Sequence, residues 1–296
     1  MCRLIHQMLR HVASRMVDTE STGGISSTHS GGARVAKRCT AVVVVVAIGL
    51  AAIAARRVTA QGAAPARQAA PLPRTADGKP DLSGIWEVLS KADYNIEPHS
   101  ASRLAPASAG IVEGGELPYK PGMVEKRKAN VAARAPADTE AKCYLPGVPR
   151  IMYIEHPFQI VQTPDSVLML FEYVHATRNV FLNSPHLKGP LDWWMGDSRG
   201  KWEGDTLVVD ANNFNEETWF DRAGNFHSDA LHIVERYTLA DRDHINYTAT
   251  IDDSKVFTRP WTMNLVFYRH TEPDFRLLDY ECYAFALDDV PIVPTN

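Results

Sequence analysis

The chain has 296 residues, of which 22% are charged and 45% hydrophobic, with a formal net charge of −4. Residues 1–60 hold 8 Lys+Arg against 2 Asp+Glu, so the remainder carries −10. An acidic domain repels phosphate backbones, which argues against nucleic acid as a partner.

Residues 1–38 are polar and basic, with Arg3, Arg10, Arg15, Arg34, Lys37 and Arg38. Residues 39–55 follow without a charge, and Val58-Thr59-Ala60 is the small-residue ending that a signal peptidase accepts. Basic, apolar, small is the order of an export signal, so residues 1–60 are expected to be a leader. The rest is then periplasmic or extracellular. The apolar run is short of the roughly 20 residues of a spanning helix, so no membrane span is expected in the mature form. An uncleaved anchor is the alternative, and Arg56 and Arg57 on the far side favour it.

Residues 61–80 are rich in Ala and Pro and read as a disordered spacer. The folded domain is expected over 81–296, with a turn at Ser83-Gly84 and a first strand from Ile85. Residues 91–120 are rich in Pro, Gly and Ser and read as loop. Over 121–134 the pattern predicts a helix, with Pro121 at its start and only Val124, Ala129, Val131 and Ala132 apolar. So weak an apolar face places it on the surface. Strands are predicted at 158–163 and 166–173 around a Pro164-Asp165 turn, and at 176–182. Breakers follow at Asn183-Ser184-Pro185 and Gly189-Pro190. Further strands are predicted at 202–209, with Gly204-Asp205 as a turn or bulge, and at 231–239, 244–251, 261–269 and 275–283. About nine strands with short turns and one helix predict an all-β fold, a single antiparallel barrel with one surface helix and long loops.

Two of the four cysteines, Cys2 and Cys39, lie in the leader. Cys143 and Cys282 remain, an even pair in an oxidising compartment. A disulfide is the simple reading, worth roughly 2–4 kcal/mol, and two buried thiols are the alternative. No CxxC or zinc spacing occurs.

Gly84-x-Trp86 at the first strand resembles the signature of lipocalin-like barrels. The resemblance implies a Trp that closes the barrel floor and an interior that holds a small apolar ligand. More of the chain is similar to a large group of uncharacterised exported proteins of soil bacteria. The shared stretches include Pro80-Asp81-Leu82-Ser83-Gly84-Ile85-Trp86, Pro146-Gly147-Val148-Pro149-Arg150, Gly196-Asp197-Ser198-Arg199-Gly200, Trp202-Glu203-Gly204-Asp205-Thr206-Leu207-Val208-Val209-Asp210 and His232-x-x-Glu235-Arg236. This resemblance spans most of 80–285 and implies no particular reaction.

Residues 192–237 are the segment to which chemistry points. Three of the six tryptophans, Trp193, Trp194 and Trp202, lie within ten residues there, and Trp219, His227, His232 and Glu235 follow. Period two puts His232 and Glu235 on opposite faces of one strand, which argues against a metal site within it. His227, in the loop before, could join His232, and three His with a carboxylate would suit Zn²⁺ or Fe²⁺. The plainer reading of each is a satisfied core or rim histidine. Asp197-Ser198-Arg199 sits between glycines, so its polar groups are expected to bond their own turn; beside Trp193 and Trp194, Asp197 could also serve as an acid or base. Glu172 falls in a predicted apolar strand with Leu168, Leu170 and Val174 on its face. A carboxylate there needs a partner, and Arg178 is expected, with His175 nearby at the turn. A structural ion pair is the plainer reading.

Trp193, Trp194, Trp219, Tyr153 and Tyr173, with Arg178 and Arg199, are the expected lining of a pocket for a small apolar or aromatic molecule. No phosphate loop, dinucleotide fingerprint or Gly-x-Ser-x-Gly elbow occurs. The expectation is an exported binding barrel. It would act as a lyase, isomerase or hydrolase without a cofactor, using His175, His227 or His232 with Glu172, Asp197 or Glu235. The rivals are a plain carrier, an envelope interaction module and a metal-dependent enzyme. Oligomeric state is left open.

Overall fold

In a computed structural model, which describes residues 71–103 and 105–280, nine strands close into one barrel in chain order. They are β1 (Gly84–Val88), β2 (Phe158–Gln162), β3 (Ser166–Phe171), β4 (Thr177–Leu182), β5 (Asp197–Glu203), β6 (Thr206–Asn212), β7 (His232–Leu239), β8 (His244–Asp252) and β9 (Trp261–Arg269). The long excursion between β1 and β2 carries α1 (Met123–Ala132) and the single turn α2 (Arg134–Ala137). Gly122, at φ 84, precedes α1, and none of the α1 residues is buried.

Three of the sequence expectations are corrected here. The stretch 202–209 is not one strand. It is the middle of a hairpin, β5 and β6, paired down to Glu203↔Thr206. Gly204-Asp205 is the two-residue loop, with Gly204 at φ 60, a left-handed conformation that glycine adopts without strain. Nor do residues 275–280 form a strand, because the sheet is already closed by β9 pairing with β1; residues 281–283 lie outside the described residues. Finally, the barrel is not antiparallel throughout. β4 and β5 run parallel over Val180↔Ser198, Phe181↔Arg199 and Leu182↔Gly200. A hairpin cannot make such a pair, since parallel neighbours need a crossover of about a dozen residues or more. Residues 183–196, with their Pro and Gly breakers, supply it. Gly200 lets the seam close, because a Cβ there would lie 2.7 Å from the Leu182 side chain and 2.8 Å from Val180.

The fold also begins earlier than 81. Within the expected spacer, Thr75 donates its N–H to Lys79 O, and Arg74 pairs with Asp205 at 2.8 Å. The export signal at 1–60 lies outside the described residues, as does Cys282, the expected partner of Cys143.

Gly84-x-Trp86 acquires a physical meaning at the seam between β1 and β9. The Arg269 guanidinium lies over the Trp86 ring at 4.1 Å and donates to Ser83 O. Trp86 donates its own indole N–H to Leu82 O at 2.9 Å. Gly84 has φ 141, and any Cβ there would fall 2.1 Å from the Arg269 guanidinium. Glycine suits the position on both counts: its φ would strain an L side chain, and the arginine would have to shift to admit a Cβ.

The interior is filled by the protein's own side chains. Phe158 stacks on Phe171 at 5.3 Å and meets Phe267 edge-on at 5.2 Å; Tyr247 lies 5.0 Å from Tyr237 and 5.2 Å from Phe267. All are buried. The lumen implied by the lipocalin resemblance is occupied by these rings.

Among them sits an ion pair. Arg178, on β4, is 3% exposed and Glu235, on β7, is 0% exposed. Arg178 Nη1 donates to Glu235 Oε1 at 2.9 Å, and Nη2 pairs with Oε2. Ser198 Oγ accepts from Arg178 Nε at 3.0 Å and Nη2 at 2.9 Å. Tyr237 and Tyr247 donate their hydroxyls to Glu235 Oε1 at 2.8 and 2.9 Å. Burial, and then the Glu235 charge, push both phenols well above their ordinary range, so they stay neutral donors. Removing one member of a buried pair strands the other charge at about 3–5 kcal/mol, whereas replacing both by apolar residues is often neutral. Glu235→Leu alone is therefore expected to lose about 3–5 kcal/mol in urea denaturation, and Glu235→Leu with Arg178→Met to recover most of it. A double variant no more stable than the single one would contradict this account.

Candidate functional site

The crossover 183–196 lies on the outer wall of β5 and β6, and it is pinned there by a chain of four side chains. Strand alternation turns Ser198 and Gly200 inward and Asp197, Arg199 and Asp210 outward. Asp197 is nonetheless only 7% exposed, because the crossover covers it. His186 bridges two strands: Nδ1 is 3.0 Å from Asp197 Oδ2, and Nε2 is 2.9 Å from Asp210 Oδ1. His232, on β7, places Nε2 3.0 Å from the same Asp210 oxygen. The Leu187 N–H donates to Asp197 Oδ2 at 2.9 Å. Arg199 donates Nε to Asp197 Oδ1 at 2.9 Å, spans to Ser184 Oγ at 3.0 Å, and lies over the Phe181 ring.

Burial alone would raise the Asp197 carboxyl. Hydrogen bonds from Arg199, the Leu187 amide and His186 outweigh it and hold the group below its ordinary range. It is a carboxylate at neutral pH, but one whose lone pairs are largely spoken for. Both ring nitrogens of His186 face carboxylate oxygens, which only accept, so both bonds form while each nitrogen carries a proton. The open end of the chain is Asp210 and His232. Asp210 Oδ2 and His232 Nδ1 have no hydrogen-bond partner among the described residues, and the His232 side chain is 42% exposed.

Two clefts flank the pinned crossover. One, of about 340 Å³, is lined by Trp193, Trp194, Met195, Phe181, Leu187 and Leu145, with Asp197 at its edge. Tyr144 meets the Trp194 ring edge-on at 4.8 Å. The other, of about 780 Å³, is lined by His186, Asp210, Arg199, Val208, Val234 and Arg236, among others.

The residues expected from sequence are divided by the structure. Asp197, His232, Arg199, Trp193 and Trp194 meet around the crossover. Arg178 and Glu235 meet each other inside the barrel, where every Arg178 donor is used. Glu172 does not pair with Arg178: the buried face of β3 is Val167, Met169 and Phe171, so the face of Leu168 and Leu170 looks outward, and Glu172 follows it at a turn after the strand ends at Phe171. There it pairs with His156 at 3.4 Å and accepts the Leu278 N–H at 2.8 Å. His175, at φ 53, is exposed at that same turn. Tyr173 packs with His156 and Tyr280. Tyr153 donates to Phe220 O at 2.7 Å, and Trp219 bridges to Phe226; both are core. His227 does not join His232. It is 1% exposed between Thr218 Oγ1, 2.7 Å from Nε2, and Ser228 O, 2.9 Å from Nδ1.

Two members of the outer chain, His186 and Asp210, were not expected as site residues. His186 stands alone in a breaker-rich stretch, and only the parallel pairing of β4 and β5 brings it over Asp197. Among the described residues no group of three or more His, Cys, Asp or Glu side chains is placed to hold a metal ion, and no helix is long and apolar enough to cross a membrane. No family model matches the sequence, and no curated protein matches it.

His227 supplies a pH test of this division. Burial lowers its pKa below 6.5, against the opposing Ser228 carbonyl and Asp253 charge. The unfolded chain then binds a proton below about pH 6.5 that the folded chain refuses, so stability falls as pH drops through that window. His227→Phe, which cannot titrate, is expected to lose less stability than the parent between about pH 7.5 and about pH 5.5. Equal losses by urea denaturation would show that His227 is not a buried neutral ring.

Proposed function

We propose that the protein binds a small, largely apolar or aromatic molecule in the Trp193–Trp194 cleft on the outside of the barrel wall. The observation that carries this is the cleft itself: two indoles and Phe181, Leu187 and Met195 around one carboxylate edge. At about 340 Å³ its size suits a ligand of one or two rings. Offset or edge-on packing against indoles adds about 0.5–1.5 kcal/mol per ring pair beyond area burial. The crossover that forms one wall is held by Asp197–His186–Asp210, so those residues position the cleft instead of touching the ligand's reacting atoms. Two further features belong to the same reading. The Arg269-over-Trp86 closure supports kinship with lipocalin-like barrels, although the parallel seam and filled interior depart from that pattern. The leader pattern supports export to the periplasm or beyond.

A second reading rests on the open end of the chain. Asp210 orients His232 through Nε2 and leaves Nδ1 free, which is the minimum arrangement for a general base. In that reading a polar molecule held beside Asp210, which lines the larger cleft, exchanges a proton with Asp210 or with the His232 that Asp210 contacts, without a cofactor.

The binding reading is tested by titrating intrinsic tryptophan fluorescence with naphthalene. Saturable quenching is expected, with Trp193→Ala and Trp194→Ala each weakening it by about tenfold. Absence of saturation, or saturation that survives the double variant, would remove the cleft as the site. The second reading is separate: in a turnover assay, His232→Gln should lower kcat by about 100-fold. An unchanged kcat would leave His232 structural.

A further inference from the structure

The outer face of β8 and β9, together with the loop that follows β1, forms a third cleft, of about 880 Å³. Its lining differs in kind from the two above. From β8 come Asn246 and Thr248, and from β9 come Asn264, Val266 and Tyr268. Ser90 and Ser108 complete it from the loop. The charged groups on its wall, Lys91 and Glu155, are bonded to each other at 2.5 Å and cancel. No other charged side chain is among the lining residues.

The polar groups have unused capacity. The Thr248 hydroxyl donates to Asn264 Oδ1 at 2.9 Å, which leaves the Asn264 amide nitrogen as a free donor. The Asn246 amide and the Tyr268 hydroxyl make no hydrogen bond among the described residues. Ser90 and Ser108 each accept a backbone N–H at 3.1 Å, from Ala92 and Gly110, which leaves their hydroxyl protons free. Tyr268 is 40% exposed, and its ring lies roughly perpendicular to that of His244 at 5.2 Å. Loop and sheet are fixed to each other: Asn264 donates its N–H to Ile111 O at 3.0 Å, and Gly110 lies so close to Pro98 that a Cβ would fall 2.5 Å from its nitrogen.

We infer that this groove binds a neutral, polyhydroxylated molecule, of the class of a short uncharged oligosaccharide. Amides and hydroxyls offer both donors and acceptors to sugar hydroxyls. The C–H face of a pyranose finds an apolar surface in Tyr268, Val266 and Leu89. An arene would leave the amides unpaired, and an ionic ligand would find no counter-charge, each at a desolvation cost. This inference is independent of the Trp193–Trp194 cleft.

The test is a ¹H–¹⁵N titration of the protein with cellotriose and with maltotriose, and with trigalacturonate as the charged control. At least one neutral trisaccharide is expected to shift the amides of β8 and β9 saturably. Tyr268→Ala and Asn246→Asp should each weaken it by about fivefold or more, Tyr268→Trp should retain it, and Trp193→Ala should leave it unchanged. Asn246 is on the exposed face of β8, so its variant is readable even if Tyr268→Ala fails to fold. No saturable shift with either neutral sugar would overturn the inference. So would equal binding of trigalacturonate, or loss of binding in Trp193→Ala.

Discussion

Three residue pairs join β4 to β5, as few as at any seam of the barrel, and theirs is the only parallel seam among the described strands. What crosses that seam on the inside is Arg178. Its guanidinium reaches from β4 to Ser198 on β5 and onward to Glu235 on β7, so one side chain ties three strands through the core. The pair itself adds little net stability over an apolar filling, because two charges were taken out of water to make it. Its effect is on specificity. A one-residue slip of β4 would turn Arg178 outward and leave Glu235 unpaired in the interior, so the register of the weak seam is set by a charge that tolerates no alternative.

The same seam creates the outer site. Parallel pairing demands a crossover, and the crossover has to lie somewhere on the wall. It lies across the outward residues of β5 and β6, and its one histidine finds two carboxylates there. Asp197 and Ser198 are neighbours in sequence, yet one accepts from His186 outside the sheet and the other from Arg178 inside it. The inner and outer networks are therefore two sides of one strand. A disturbance of the β4–β5 register would be felt in both.

Much of this was legible from the chain. Period-two alternation in 244–251 and 261–269 marks β8 and β9 almost to the residue, and it places His232 and Glu235 on opposite faces. Gly84-x-Trp86 marked a special closure, though not the arginine that lies over the Trp86 ring. The failures share a cause, which is pairing that local pattern does not encode. Gly204-Asp205 reads equally as a bulge or a hairpin loop until Glu203 is seen opposite Thr206. Glu172 reads as inward only if the face of Leu168 and Leu170 is the core face of β3, whereas the buried face is Val167, Met169 and Phe171. His186 has no neighbour of its own kind in sequence, and its role exists only after a parallel crossover folds back. Arg178 was assigned a partner six residues away, when the real one lies 57 residues on, across the barrel.

A filled barrel moves the question of binding from the lumen to the wall. Inside, the rings of Phe158, Tyr237, Tyr247 and Phe267 pack against each other, and opening a space among them would forfeit dispersion contacts and leave a cavity. Outside, most outward side chains of the sheet are exposed or only partly buried, Val208 and Asp197 excepted. Each cleft forms where a loop is pinned to the sheet: the crossover by His186 on β5 and β6, and the 89–111 loop by the Asn264–Ile111 bond at the edge of β9. The pinning group is polar in both cases, so the loop stays put without consuming the apolar or amide surface beneath it. The chemistry of each cleft then follows from the strands it covers, aromatic and charged beside the crossover, uncharged and hydroxylated on the opposite loop.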